Sequence, residues 1–170
     1  MIPPLTTLTH ALLLCIPFTL FAVGVFWWRP RLWLHSLPPD IQRMAGPKTV
    51  AEENMTKCML PVMLLILPGL STVSALNAQP ATGSHLTILG VVLHLGLVWF
   101  LVHAWDLLVI DAAHMKLIDP NKPPIAGTQG AAGWRDFGFH TRAFVKACVM
   151  SLLFVLPMSL IVSWVRGAPP

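Results

Sequence analysis

Residues 103–114 read HAWDLLVIDAAH, two histidines and two aspartates inside an apolar run that begins near Leu86. Imidazoles and carboxylates are the groups that ligate metals, relay protons and serve as general acids and bases. Their spacing decides whether they can act together. At about 100° per residue, with His103 set at zero, His114 falls at about 20°, Asp106 at about −60° and Asp111 at about 80°. His94 points to the opposite side. The stretch is therefore one polar face on an otherwise apolar helix.

Charged groups in such a run need partners. Arg142 and Lys146, one turn apart near the start of the last apolar run, are the partners expected for Asp111. Asp106 lies about 7.5 Å deeper by helical rise, within reach of His103 or Lys146. Two roles are open for His103, Asp106, Asp111, His114, Arg142 and Lys146. One is structural, an ion-pair cluster that fixes the register of two helices. The other is a path for ions or protons. A metal site would need ligands converging at bond distance. His103 and Asp106, at i and i+3, are two candidates, and His140 is a third from the preceding loop.

A second pair, His10 and His94, lies at similar depth in the first and third apolar runs. Two histidines on facing helices can ligate a haem, and one can ligate a chlorophyll-type pigment. The bland alternative is a hydrogen bond to a neighbouring helix. Hydrolytic and nucleotide-binding motifs (GxGxxG, the Walker loop, HExxH, GxSxG) are absent. Ser151, Ser159 and Ser163 have no histidine at a related spacing.

The elements that position these groups follow from composition. Of 170 residues, 55% are hydrophobic and 11% charged, with a mean hydropathy of +0.70. Soluble domains carry about 25% charged residues, so this chain lacks the polar surface for water. Four segments, about 5–28, 50–76, 86–112 and 142–165, have the length of a bilayer crossing. The expected fold is all-α: a single transmembrane domain, 1–170, built as a four-helix bundle.

The net charge of +4 does not indicate nucleic acid, because of where it lies. Arg29, Arg31, Arg43, Lys48, Lys57, Lys116, Lys122, Arg135, Arg142 and Lys146 all fall in, or beside, the first and third loops. Only Arg166 lies beyond them. Positive loops stay cytoplasmic. Both termini are therefore expected outside, with two substantial cytoplasmic loops. The first positive charge follows the first apolar run, unlike a cleaved signal peptide. Cys15, Cys58 and Cys148 form no CxxC pair and read as small packing residues. The glycosylation-like triplet at Asn54 lies on the cytoplasmic side and is taken as chance.

Local signals refine this picture. Trp27-Trp28-Arg29 marks a membrane–water boundary. The proline-rich stretch after it, with Trp33 among leucines, suits a segment lying along the interface. Thr49-Val50-Ala51-Glu52 is a capping box that starts the second helix near Val50. The outer loop after Asn77 is short and uncharged, which makes spans two and three a hairpin. The third loop, with three prolines and four glycines, excludes a continuous helix. Its Trp134, Phe137 and Phe139 predict that it is ordered against the membrane.

Three stretches, RPRLWLHSLPPDIQ, WDLLVIDAAH and AGTQGAAGWRDFGFHTRAF, resemble a family of uncharacterised small bacterial membrane proteins with four spans. The shared features are a Trp-Leu-His stretch running into an Asp-Ile pair, and an aspartate matching Asp111. A Gly-Thr turn and an aromatic–histidine pair match Gly127, Thr128, Phe139 and His140. His103 and His114 are not part of the pattern. The resemblance implies the four-span fold and a bacterial inner membrane, and no activity.

The function expected from sequence is a non-enzymatic subunit or accessory factor of a larger membrane complex. A membrane-protein partner or a homo-oligomer is implied, besides the lipid bilayer. The alternative is a small oligomeric transporter or channel using Asp106, Asp111 and Lys146. A membrane protein holding haem or pigment through His10 and His94 comes third.

Overall fold

The computed structural model describes residues 1–81 and 85–167. The middle of the expected outer loop and the end of the C-terminal tail lie outside them. Among the described residues the regular structure is helical throughout. Four helices are long and apolar enough to cross a membrane: α1 (Pro4–Trp28), α3 (Val50–Asn77), α4 (Ile88–Leu117) and α5 (Phe137–Val165). A short helix, α2 (Pro39–Ala45), lies between α1 and α3.

Each boundary has a local cause. Pro4 opens α1, where a missing N–H costs nothing. Thr49 and Glu52 form the capping box that starts α3. Thr87 caps α4 by accepting from Gly90 N–H. Asp136 caps α5 by accepting from Phe139 N–H at 2.8 Å. That last cap starts α5 about a turn before its apolar run, and α4 runs on to Leu117. The third loop is correspondingly shorter than the sequence suggests.

Helix α4 is the centre of the bundle, packing on α1, α3 and α5. Its apolar face meets α1 through Ala11, Leu14, Phe18, Val98 and Val102. Toward the far end, Val91, Leu95 and Trp99 pack with Ala75, Val155 and Val162. Ser151, Ser159 and Ser163 on α5 are buried, and their small size lets helices approach closely. The outward surface is apolar: Leu5, Leu20, Leu108, Leu153 and Leu160 are all exposed. A surface of that kind is solvated by lipid rather than water.

Two helices contain a wider turn. Leu70 N–H bonds Leu65 O, and Ala112 N–H bonds Leu107 O, each five residues back. These are π-turns. The first contains Pro68, which removes a helical donor. The second, Asp106–Asp111, has no proline and carries both aspartates of the polar stretch.

One end of the bundle is closed by a cap. A 3-10 turn (Pro30–Ser36), α2 and the 118–136 loop fold together around Leu34, Leu37, Ile41, Ile118, Ile125 and Trp134. Arg31 ties this layer to α3 by donating to Glu52, Ala45 O and Pro47 O at 2.7–2.8 Å. Lys48 donates to Leu32 O and Thr56 Oγ1. Asp40 of α2 accepts from Gly133 N–H at 2.8 Å, joining the two loops. The third loop is thus ordered: Trp134 is buried, although Phe137 is exposed and Phe139 only half-buried.

Candidate membrane-embedded chamber

Under the cap lies a chamber of about 290 Å3. One wall is apolar, with Phe18, Phe26, Trp33, Met63, Leu67 and Trp134. The lining also carries polar groups, with His103, Asp106, Asp111 and His114 from α4 and His140 from α5. Four of the six residues expected in one polar cluster therefore do meet, joined by the loop candidate His140.

The ion pairs differ from those expected. Asp111 Oδ2 meets His140 Nδ1 at 2.8 Å, and both side chains are largely buried. Arg142 turns back to Asp136 at 3.8 Å on the surface. Lys146 is exposed on the outer side of α5, and neither it nor Arg142 lines the chamber. The physical reason is the early start of α5. With Asp136 as cap, His140 occupies the first turn, level with Asp111. Arg142 and Lys146 then lie on a different face from His140, Ala143 and Ala147, which do line the chamber. A transport path through Asp106, Asp111 and Lys146 consequently loses its cation.

The remaining polar groups are less satisfied. Among the described residues no cation or hydrogen-bond donor meets the Asp106 carboxylate. His103 packs edge-on to Trp99 at 5.9 Å, and Trp99 Nε1 donates to Ser71. His114 lies against Phe26 at 4.5 Å between ring centroids. His103 Nε2, His114 Nε2 and Trp33 Nε1 are buried without a hydrogen-bond partner among the described residues. Orphaned buried polar atoms are few in folded proteins and call for an explanation. All three side chains contribute other atoms to the chamber lining. No group of three His, Cys, Asp or Glu side chains converges there for a metal ion, among the described residues.

The other expected pair has a different structure. His10 and His94 touch edge to face, with centroids 5.4 Å apart. Thr7 Oγ1 lies 2.8 Å from His94 Nδ1, and Ser74 Oγ lies 3.0 Å from His94 Nε2 and 2.7 Å from His10 Nδ1. Two proton orders satisfy all three contacts with neutral rings. In one, Thr7 donates to His94 Nδ1, His94 Nε2–H donates to Ser74, and Ser74 donates to His10. In the other, His10 Nδ1–H donates to Ser74, Ser74 donates to His94 Nε2, and His94 Nδ1–H donates to Thr7, which leaves the Thr7 hydroxyl for Pro3 O. Both nitrogens of His94 are spent, and the rings leave no gap for a macrocycle. The two rings therefore cannot sandwich a haem between them, and His94 has no nitrogen left for a ligand bond. These contacts tie α1, α3 and α4 together.

The other two loop candidates, Gly127 and Thr128, shape the loop. Gly127 has φ +84°, a left-handed conformation that favours glycine. Thr128 is fully buried and donates to Ile125 O, while Trp134 Nε1 donates to Thr128 O. Together they hold the loop over the chamber without lining it. The sequence missed Trp33 and Asp40. Trp33 reads as one more interfacial aromatic, and Asp40 has no signal until Gly133 is placed beside it.

No protein-family model matches the chain, and no curated protein or solved structure matches it either.

Proposed function

We propose that this is a multi-pass protein of the bacterial inner membrane that binds a small amphiphilic molecule in the chamber beneath its cap. The positive residues of the capped end support a cytoplasmic cap, with both termini on the other side. The resemblance of the loops to small bacterial four-span proteins supports the same placement. Within a larger membrane complex, or a homo-oligomer, the chain would be the component that holds the molecule.

A single observation carries this reading: a cavity of about 290 Å3 lined by apolar and aromatic side chains together with histidines and aspartates. Small-molecule sites are mostly apolar, with a few convergent polar groups that fix orientation. The pocket is partly open, which gives an occupant a way in. A carboxylate is also costly at membrane depth unless something compensates it. Five ionisable residues around one cavity are therefore better explained by an occupant than by helix registry alone.

The test is native mass spectrometry of the protein taken from its own membrane in lipid nanodiscs. Ala147 lines the chamber from α5, and Ala147→Phe fills part of it. The wild-type protein should release a small molecule that the folded variant does not carry. Identical release from both would refute the reading.

A further inference from the structure

We infer that the occupant of this chamber is a lipophilic organic cation, a single positive charge carried on an apolar body, with Asp106 as its counter-ion. The inference rests on the chamber being a binding site and goes on to name the ligand's chemistry.

Charge is the first ground. The wall holds two carboxylates. Asp111 is already engaged by His140, whereas Asp106 meets no cation. None of the chain's lysines or arginines lines the chamber. Arg31 is committed to Glu52, Arg142 to Asp136, and Arg135 to Ile118 O. An anionic ligand would face two carboxylates and find no fixed positive charge. A neutral apolar ligand would leave Asp106 desolvated with no counter-charge, so that it could persist only by taking up a proton. A cation lets the carboxylate stay ionised and adds an ion pair that neither a neutral nor an anionic ligand can make.

The aromatic lining is the second ground. Phe18, Phe26, Trp33 and Trp134 contribute aromatic rings. Ring faces attract cations, most strongly where water is excluded, and aromatic cages are a recurrent way of holding ammonium groups. The remaining wall is aliphatic and fits the apolar body. The chamber volume lies at the lower limit of small-molecule sites, about 300 Å3. It therefore suits a compact cation rather than a phospholipid.

The experiment uses the full chain in nanodiscs and radiolabelled benzyltrimethylammonium, read by equilibrium dialysis. Neopentylbenzene, in which carbon replaces the charged nitrogen, is the neutral competitor of the same shape, and phenylmethanesulfonate is the anionic one. The expected result is saturable binding of the cation and at least tenfold weaker competition by either other compound. Asp106→Asn should weaken cation binding at least tenfold while leaving the thermal transition of the protein unchanged or raised. Ala147→Phe should abolish binding. Neopentylbenzene binding as tightly as the cation, with Asp106→Asn silent, would overturn the cation assignment and leave the chamber as a site. No saturable binding of any of the three compounds would overturn both.

Discussion

Asp111 and His140 meet at 2.8 Å across the ends of α4 and α5, and both side chains line the chamber. The two residues are 29 positions apart, and everything between them belongs to the end of α4, the cap or the first turn of α5. The pair therefore links the cap's anchoring to the polar lining.

Removing either member should destabilise the protein. Hydrogen bonds involving a charged group contribute about 1.5–3 kcal/mol. Asp111→Ala and His140→Ala should each lower stability by about that amount, and the double variant by less than their sum, since neighbours couple. Lys146→Met should be neutral, because Lys146 points away from both. Unfolding in denaturant, with the double-mutant cycle completed, measures this. A coupling with Lys146 in place of His140 would contradict the observed pairing.

The cap depends on the closeness of α2 to the third loop. A Cβ on Gly133 would overlap the Asp40 carboxylate and lie 2.6 Å from Pro38 Cβ. Both neighbours are held, Asp40 by Gly133 N–H and Pro38 by burial. Gly133→Ala should therefore lift the loop, at about 1–3 kcal/mol for an overpacked site. Limited proteolysis should cut the variant within 118–136 at least tenfold faster than the wild type. Equal rates would mean that the two loops are not in contact.

Much of this was legible in the sequence, and the failures share a cause. Four spans, the capping box at Thr49 and an ordered third loop follow from composition, cap chemistry and aromatic content. The ion pairs did not, because they depend on where α5 begins. Asp136 is a good cap, but the apolar run starts later, and hydropathy alone places the helix too late. The π-turn at Asp106–Asp111 adds a second error. Angles drawn at a constant helical pitch drift beyond it, so the stripe is right in kind but not in orientation. The His10–His94 pair was placed at the correct depth, yet Thr7 and Ser74, which occupy the ring of His94, have no signature in sequence. The chamber was not visible at all, since eight of its 22 lining residues, Trp33, Leu37 and Ile41 among them, come from the cap.

Acid should loosen the cap. Lys48 donates to His35 Nδ1 at 3.3 Å, and burial, then the Lys48 charge, pushes the His35 pKa below its ordinary value of 6.5. The folded chain thus binds a proton at His35 less readily than the unfolded chain. Where the unfolded state binds more protons, stability rises with pH. The contribution is present above about pH 6.5 and is lost as pH falls below it. Protease cleavage within 30–48 should accelerate between about pH 7 and pH 5, and His35→Gln should flatten that dependence. An unchanged profile in the variant would assign the effect to other groups.

The orientation can be checked with single cysteines in a cysteine-free background. Thr128 is too buried to label, and Ser84 lies outside the described residues. Gln129 in the cap and Gln79 beyond α3 are both exposed. A membrane-impermeant maleimide applied to intact cells should label Gln79→Cys and leave Gln129→Cys untouched until the membrane is opened. Labelling of both from outside would break the four-span arrangement.

The chamber itself is tested most directly by a crystal structure grown in a lipid mesophase from protein purified without harsh detergent. The account predicts non-protein density between Asp106 and Trp33, in contact with the aromatic wall. A cap that has descended so that Trp33 and Trp134 pack onto His103 and Asp106, or a chamber holding only ordered water, would contradict it.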